Sequence, residues 1–179
     1  LIERKEKKMY AEKQNRNQPS WTGWGTGVII NREGYVLTNF HVVQDCDEIR
    51  LGFSDTLKPV ILNRKLDIAI LKNPLNKELN NVVFRSSSPN AGENLWALGY
   101  GTQTGDAKKE FPLGISPGVV NAERVEMEGM VAKDWFQHNA NIQPGHSGGP
   151  ILDNNGYLIG LISSSVGDEY FAEGTGGTF

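Results

Sequence analysis

Gly25-Thr26-Gly27-Val28-Ile29-Ile30-Asn31-Arg32-Glu33-Gly34-Tyr35-Val36-Leu37-Thr38 spells out a β-hairpin. Two short runs of β-branched and aliphatic residues, 27–30 and 35–38, flank Asn31-Arg32-Glu33-Gly34, a turn whose glycine supplies positive φ. The same grammar continues downstream. Further strands are expected at 48–53, 60–62 and 68–71, then at 82–84, 95–98, 118–122, 130–139, 151–152 and 157–162, with Asp153-Asn154-Asn155-Gly156 as a second hairpin turn. Many short strands with closely spaced turn signals predict an all-β barrel or sandwich.

Working outward, the Pro- and Asn-bearing stretch 73–81 is the natural seam between the two sets. The expected division is a charged N-terminal linker or helix over 1–20, a first β-barrel over 21–78, and a second over 79–179. Residues 1–18 are rich in Lys, Arg, Glu, Gln and Asn and read as a solvated lead-in. The 179-residue chain, 38% hydrophobic, is long enough for two small, closely packed barrels. A net charge of −3 with 22% charged residues gives no reason to expect nucleic acid as a partner. Cys46 is the single cysteine, so the fold must hold by packing rather than by an internal disulfide. The longest apolar runs, 28–30 and 157–162, fall far short of the ~18 residues that span a bilayer, so no membrane span is expected. The charged opening Leu1-Ile2-Glu3-Arg4-Lys5 does not read as a secretory signal.

The chemistry centres on Pro144-Gly145-His146-Ser147-Gly148-Gly149-Pro150. Glycines and prolines around one serine describe a tightly turning backbone that can aim N–H groups at one point. Donors from Gly145 and Ser147 would stabilise the oxygen of a carbonyl under attack. A Gly/Pro-rich turn with an incidental serine is the plain alternative. Gly-x-Ser-x-Gly also matches the nucleophile elbow of α/β-hydrolases, but that fold places its histidine after the serine, and His41, His138 and His146 all precede Ser147.

Serine needs a base, and histidine has the right pKa. His41 leads because it closes an apolar strand where the chain turns, a rigid seat for a ring. His138 and His146 stay on the list, as does a purely structural role for His41. Asp67, at the entrance of the apolar strand Ile68-Ala69-Ile70-Leu71, is the candidate to orient the imidazole; Asp45, Asp47 and Asp55 are rivals among polar neighbours. The order is His, Asp, Ser.

At these residues the sequence resembles the chymotrypsin-fold (trypsin-like) serine proteases, and among them the disulfide-free HtrA (Deg) branch. The resemblance rests on Gly25-Thr26-Gly27-Val28-Ile29-Ile30, Leu37-Thr38-Asn39-Phe40-His41-Val42-Val43, Asp67-Ile68-Ala69-Ile70-Leu71 and Gly145-His146-Ser147-Gly148-Gly149-Pro150, in the family's order. It implies two six-stranded antiparallel β-barrels with the active site in the cleft between them. It also implies peptide-bond hydrolysis through an acyl-enzyme, with His41, Asp67 and Ser147 as triad and the Gly145 and Ser147 amides as oxyanion hole. No metal and no cofactor are implied; the partner is a protein or peptide substrate. The primary pocket is expected from Asn141, Ile142 and Gln143 with Ser163, Ser164 and Ser165. The uncharged Asn141 favours small or medium uncharged side chains, while His138 keeps a preference for acidic ones open. Residues 113–120 resemble the family's strand entering the second barrel, with Pro117 as a departure. His146 is another: the branch usually carries Asn there, and trypsin carries Asp. Residues 99–114 and 163–174 are candidate activation loops, and the second barrel is expected to be cut short at Phe179. Family habit suggests a bacterial periplasm or envelope and leaves an oligomer open, although residues 1–20 lack the aromatic cluster associated with trimers. Two other readings use the same residues: a catalytically silent protease-like peptide-binding module, and a hydrolase of small esters.

Overall fold

The computed structural model describes residues 2–6, 23–52, 55–74, 79–101, 112–125 and 135–163. In chain order the elements are β1 (Ile2–Glu6), β2 (Gly23–Gly25), β3 (Val28–Ile29), β4 (Tyr35–Thr38), a single helical turn α1 (Phe40–Val43), β5 (Cys46–Leu51), β6 (Asp55–Asn63) and β7 (Ile68–Lys72). There follow β8 (Val83–Phe84), β9 (Asn94–Tyr100), β10 (Leu113–Val125), β11 (Trp135–His138), β12 (Pro150–Asp153) and β13 (Tyr157–Leu161). The all-β expectation holds. Ser164 and Ser165, the 102–111 part of the first candidate activation loop, the 164–174 part of the second, and the 130–134 part of an expected strand lie outside the described residues.

The first sheet runs β2-β1-β5-β6-β7-β4-β3, antiparallel throughout. Its two edge strands, β2 and β3, are separated in sequence only by Thr26 and Gly27, so one bent strand supplies both edges and joins them covalently. The six strands expected of this barrel are thus divided into seven. One of them comes from an unexpected place. Ile2–Glu6, read from composition as part of a solvated linker or helix, pairs with β2 and with β5. Without it, the facing edges of β2 and β5 would leave rows of N–H and C=O groups unpaired; long-range pairing overrides a polar local sequence.

The second sheet runs β11-β10-β9-β12-β13-β8. Five of its strands pair antiparallel, as expected, but β8 lies parallel to β13, with Val83 opposite Tyr157. Pro117 is accommodated within β10 opposite Trp96 on an outward face.

The two-residue period of the strands divides their side chains between two cores. Val36 of β4 with Ala69 and Leu71 of β7 points into the first barrel, where they meet Val42, Val43, Ile49 and Leu57. The alternate residues Leu37, Ile68 and Ile70 face the other way and pack with Val28 against Leu152, Leu158 and Leu161 of the second sheet. That seam fixes the two sheets to each other. The second sheet fills its own interior with Leu95, Ala97, Val120, Ala140, Ile151 and Ile162. Both hairpin turns read from sequence form: Gly34 has φ 81° and Gly156 φ 81°, and the Asn31 and Asp153 side chains accept the amides of Tyr35 and Tyr157 at 3.0 Å each.

Leu71 is fully buried whereas Leu62, in the same barrel, is 51% exposed. Leu71→Ala is expected to cost about 2–5 kcal/mol, and Leu62→Ala to stay within about 0.5 kcal/mol of the parent. Urea denaturation of both variants checks this; equal losses would contradict the assignment of the core.

Candidate active site

His41 lies on α1, immediately after β4 delivers the chain to the end of the first barrel. Asp67 stands at the mouth of β7 in the left-handed region, φ 50°, a conformation that aspartate tolerates better than most side chains. The turn before it is held by Asn63 Oδ1, which accepts the Leu66 amide, and its own carbonyl accepts the Asn39 side-chain amide at 3.1 Å. The carboxylate is thereby presented to α1. Oδ1 accepts the backbone N–H of His41 at 2.9 Å, and Oδ2 lies 2.7 Å from His41 Nδ1. A third donor crosses from the second sheet: Ser163 Oγ–H donates to Oδ2 at 3.1 Å. The His41 side chain keeps 24% of its surface open while that of Asp67 keeps 9%, so the ring reaches the cleft and the carboxylate is shut away behind it. Of the rival acids, Asp45 and Asp47 are exposed.

Ser147 is buried in the turn that enters β12. Around it the backbone is nearly fully committed: His146 N–H donates to Gln143 O, Gly148 N–H to Ile162 O and Gly149 N–H to His146 O, at 2.8–3.0 Å. Among the described residues no acceptor takes the Gly145 N–H. Three glycines are required here for close approach. A Cβ on Gly145 would lie 2.3 Å from Trp24 Nε1 and 2.4 Å from Tyr100 O, and one on Gly148 would lie 2.1 Å from Thr38 Oγ1. One on Gly149 would lie 2.1 Å from Leu98 O. Gly145 and Gly148 also have φ values of 96° and 80°.

The other two histidines are structural in this arrangement. His138 is completely buried in the second barrel, its ring tilted against Phe136, and burial pushes its pKa down to about 4. His146 fills a socket made by glycines: a Cβ on Gly99 would touch its Cα and ring at 2.8 Å, and one on Gly101 its Nε2 at 2.7 Å. Burial lowers its pKa as well.

The residues expected to line one substrate pocket are spread over three environments. Asn141 and Gln143 line a cavity of about 160 Å³ with His146, Ser116 and Ile115. Ile142 packs on the second core. Ser163 borders a separate groove of about 380 Å³ and spends its hydroxyl on Asp67. Sequence reasoning gave Ser163 a substrate role and gave none to Asn39. The only local signal for Asn39 was a polar residue embedded in an apolar run beside His41. For Ser163 there was none, because its partner is 96 residues away.

A serine in a glycine turn on one sheet and an imidazole–carboxylate pair on the other are the residue types that nucleophilic hydrolysis uses. A family model described as "Trypsin-like peptidase domain" matches residues 25–161. The chain is 34% identical over 158 residues, 86% of its length, to a Chlamydia trachomatis protein named "Probable periplasmic serine endoprotease DegP-like", and 29% identical over 168 residues to Arabidopsis thaliana "Protease Do-like 1, chloroplastic". It therefore belongs to the trypsin-like peptidase family, alongside DegP-like members. It spans 30% of the length of the first of these relatives and 36% of the second. A crystal structure of the serine endoprotease from Yersinia pestis shares the fold, with a TM-score of 0.68 and 22% identity over 99% of this chain and 57% of that one.

The buried histidines carry a pH signature. The unfolded chain protonates His138 near pH 6.5, but the folded chain holds it neutral down to about 4. Between those values the unfolded state binds more protons, so stability falls as pH drops from about 6.5 to 4, by up to about 1.4 kcal/mol per pH unit for this group; His146 contributes in the same direction. Urea denaturation across that range, with the His138 ring followed by NMR, checks it: a ring titrating near 6.5 in the folded protein would contradict the burial argument.

Proposed function

We propose that this chain is the protease domain of a serine endopeptidase, hydrolysing peptide bonds through an acyl-enzyme on Ser147. The observation that carries this reading is the 2.7 Å contact between His41 Nδ1 and Asp67 Oδ2, reinforced by the second carboxylate oxygen on the His41 amide. That contact supports the Nδ1–H tautomer, in which Nε2 is the nitrogen that accepts the Ser147 hydroxyl proton.

In the proposed reaction Ser147 Oγ attacks the scissile carbonyl carbon as its proton passes to His41 Nε2. The imidazolium that forms is stabilised by Asp67, which stays ionised. The tetrahedral oxyanion accepts hydrogen bonds from the Gly145 and Ser147 amides, each worth about 3 kcal/mol by the usual effect of removing one such donor. The imidazolium then protonates the leaving amine as the C–N bond breaks, and water, deprotonated by His41, releases the acyl group. An extended polypeptide is the proposed substrate. The cavity at Asn141 and Gln143 has no charged side chain in its described lining, which supports cleavage after uncharged residues over Lys or Arg. Burial of His138 argues against its recognising an acidic side chain. The periplasmic compartment named for the bacterial relatives is proposed for this chain too.

Digestion of an unfolded protein substrate, followed by electrophoresis and mass spectrometry, tests the reading. The parent chain is expected to cut it, Ser147→Ala and His41→Ala to fall to background, and Asp67→Asn to lose about 10⁴-fold in kcat. A folded parent that binds the substrate and leaves it intact would replace the peptidase by a peptide-binding module, and ester hydrolysis without proteolysis would narrow it to an esterase.

A further inference from the structure

Thr26 occupies the break between β2 and β3 and is 2% exposed. Every polar atom it has is used, and three of its four bonds reach across to the second barrel. Its N–H donates to Ser147 O at 2.8 Å, and its hydroxyl donates to Gly145 O at 2.8 Å. The same hydroxyl accepts the Tyr100 N–H at 2.9 Å. Its carbonyl accepts the Thr38 hydroxyl at 2.7 Å, within its own barrel. Thr26 thus grips the carbonyls on both sides of His146, in the segment whose amides serve as oxyanion donors.

The geometry of that grip has a chemical meaning. Gly145 sits at φ 96°, and its N–H is the amide left without an acceptor among the described residues. The Gly145 N–H belongs to the peptide that precedes its α-carbon, so its aim turns on the φ of a residue with no side chain to restrict it; holding the Gly145 carbonyl anchors that α-carbon from the other side and narrows the rotation. A hydroxyl suits this position because it must donate to one barrel-two carbonyl while accepting from a barrel-two amide, and the two bonds polarise each other.

We propose that Thr26 is a positioning residue for the oxyanion hole, acting through the Gly145 carbonyl so that the first barrel sets the aim of the Gly145 N–H in the second. The inference rests on the peptidase reading above for its catalytic consequence, but its structural part stands by itself. A donor misaimed by a rotated peptide is lost to the transition state while substrate binding, made elsewhere, survives.

The test compares Thr26→Val, which keeps shape and backbone bonds but removes the hydroxyl, with Thr26→Ser, which keeps the hydroxyl. For peptide hydrolysis Thr26→Val is expected to lower kcat about 10- to 100-fold with KM within about threefold, and Thr26→Ser to restore kcat to within about threefold of the parent. Should Thr26→Val fail to fold, Thr26→Ala replaces it. Amide hydrogen exchange at His146, Gly148 and Gly149 is measured on the same proteins and is expected to quicken in the hydroxyl-less variant, with Thr26→Ser protected like the parent. Parent-like kcat in Thr26→Val, an equal loss in Thr26→Ser, or a change in KM alone would overturn the proposal. If the parent itself proves inactive, the peptidase reading fails and exchange decides: quickened exchange sustains the grip of Thr26 on the loop, unchanged exchange removes it.

Discussion

The Asp67 carboxylate organises this molecule as well as its active site. A charged oxygen pair with little exposed surface is costly unless donors surround it, and here they come from two directions: the amide and ring of His41 on α1, and the hydroxyl of Ser163 just after β13. Because those elements belong to different sheets, satisfying the carboxylate also registers one barrel on the other. Its left-handed backbone, φ 50°, is the local cost of turning the side chain toward α1, and Asn39 helps to hold it there.

Around that centre the two barrels share their polar as well as their apolar seam. Leu37, Ile68 and Ile70 of the first pack on Leu152, Leu158 and Leu161 of the second, and Thr26 ties the nucleophile turn across the same boundary. Neither sheet holds a complete site. In the proposed mechanism base and orienter ride on one, nucleophile and oxyanion donors on the other, so the relative placement of the barrels is itself part of that chemistry.

Much of this was legible in the residues. The hairpins at Asn31–Gly34 and Asp153–Gly156 declare themselves because the turn chemistry is local, and the alternation in β4 and β7 predicts strands because its period is local too. His41, Asp67 and Ser147 stand out because each is a polar residue set in an apolar or glycine-rich frame, and the structure brings His41 and Asp67 into contact. What escaped is nonlocal. The polar composition of Ile2–Glu6 conceals a strand required only by the open edges of β2 and β5, and the parallel pairing of Val83 with Tyr157 depends on how distant segments meet. The close approach that Gly145 permits, to Trp24 and Tyr100, is likewise made by distant segments. Ser163 was assigned to substrate because nothing near it in sequence reveals that its hydroxyl belongs to Asp67.

The proposed chemistry requires Ser147 to be a nucleophile that His41 activates. The most direct measurement is peptide mapping, by mass spectrometry, of the folded chain after reaction with a fluorophosphonate. A single phosphonyl adduct on Ser147, formed in the parent and absent in His41→Ala, is the predicted result. An adduct on another residue, no adduct on well-folded protein, or labelling of Ser147 that survives the loss of His41 would contradict it.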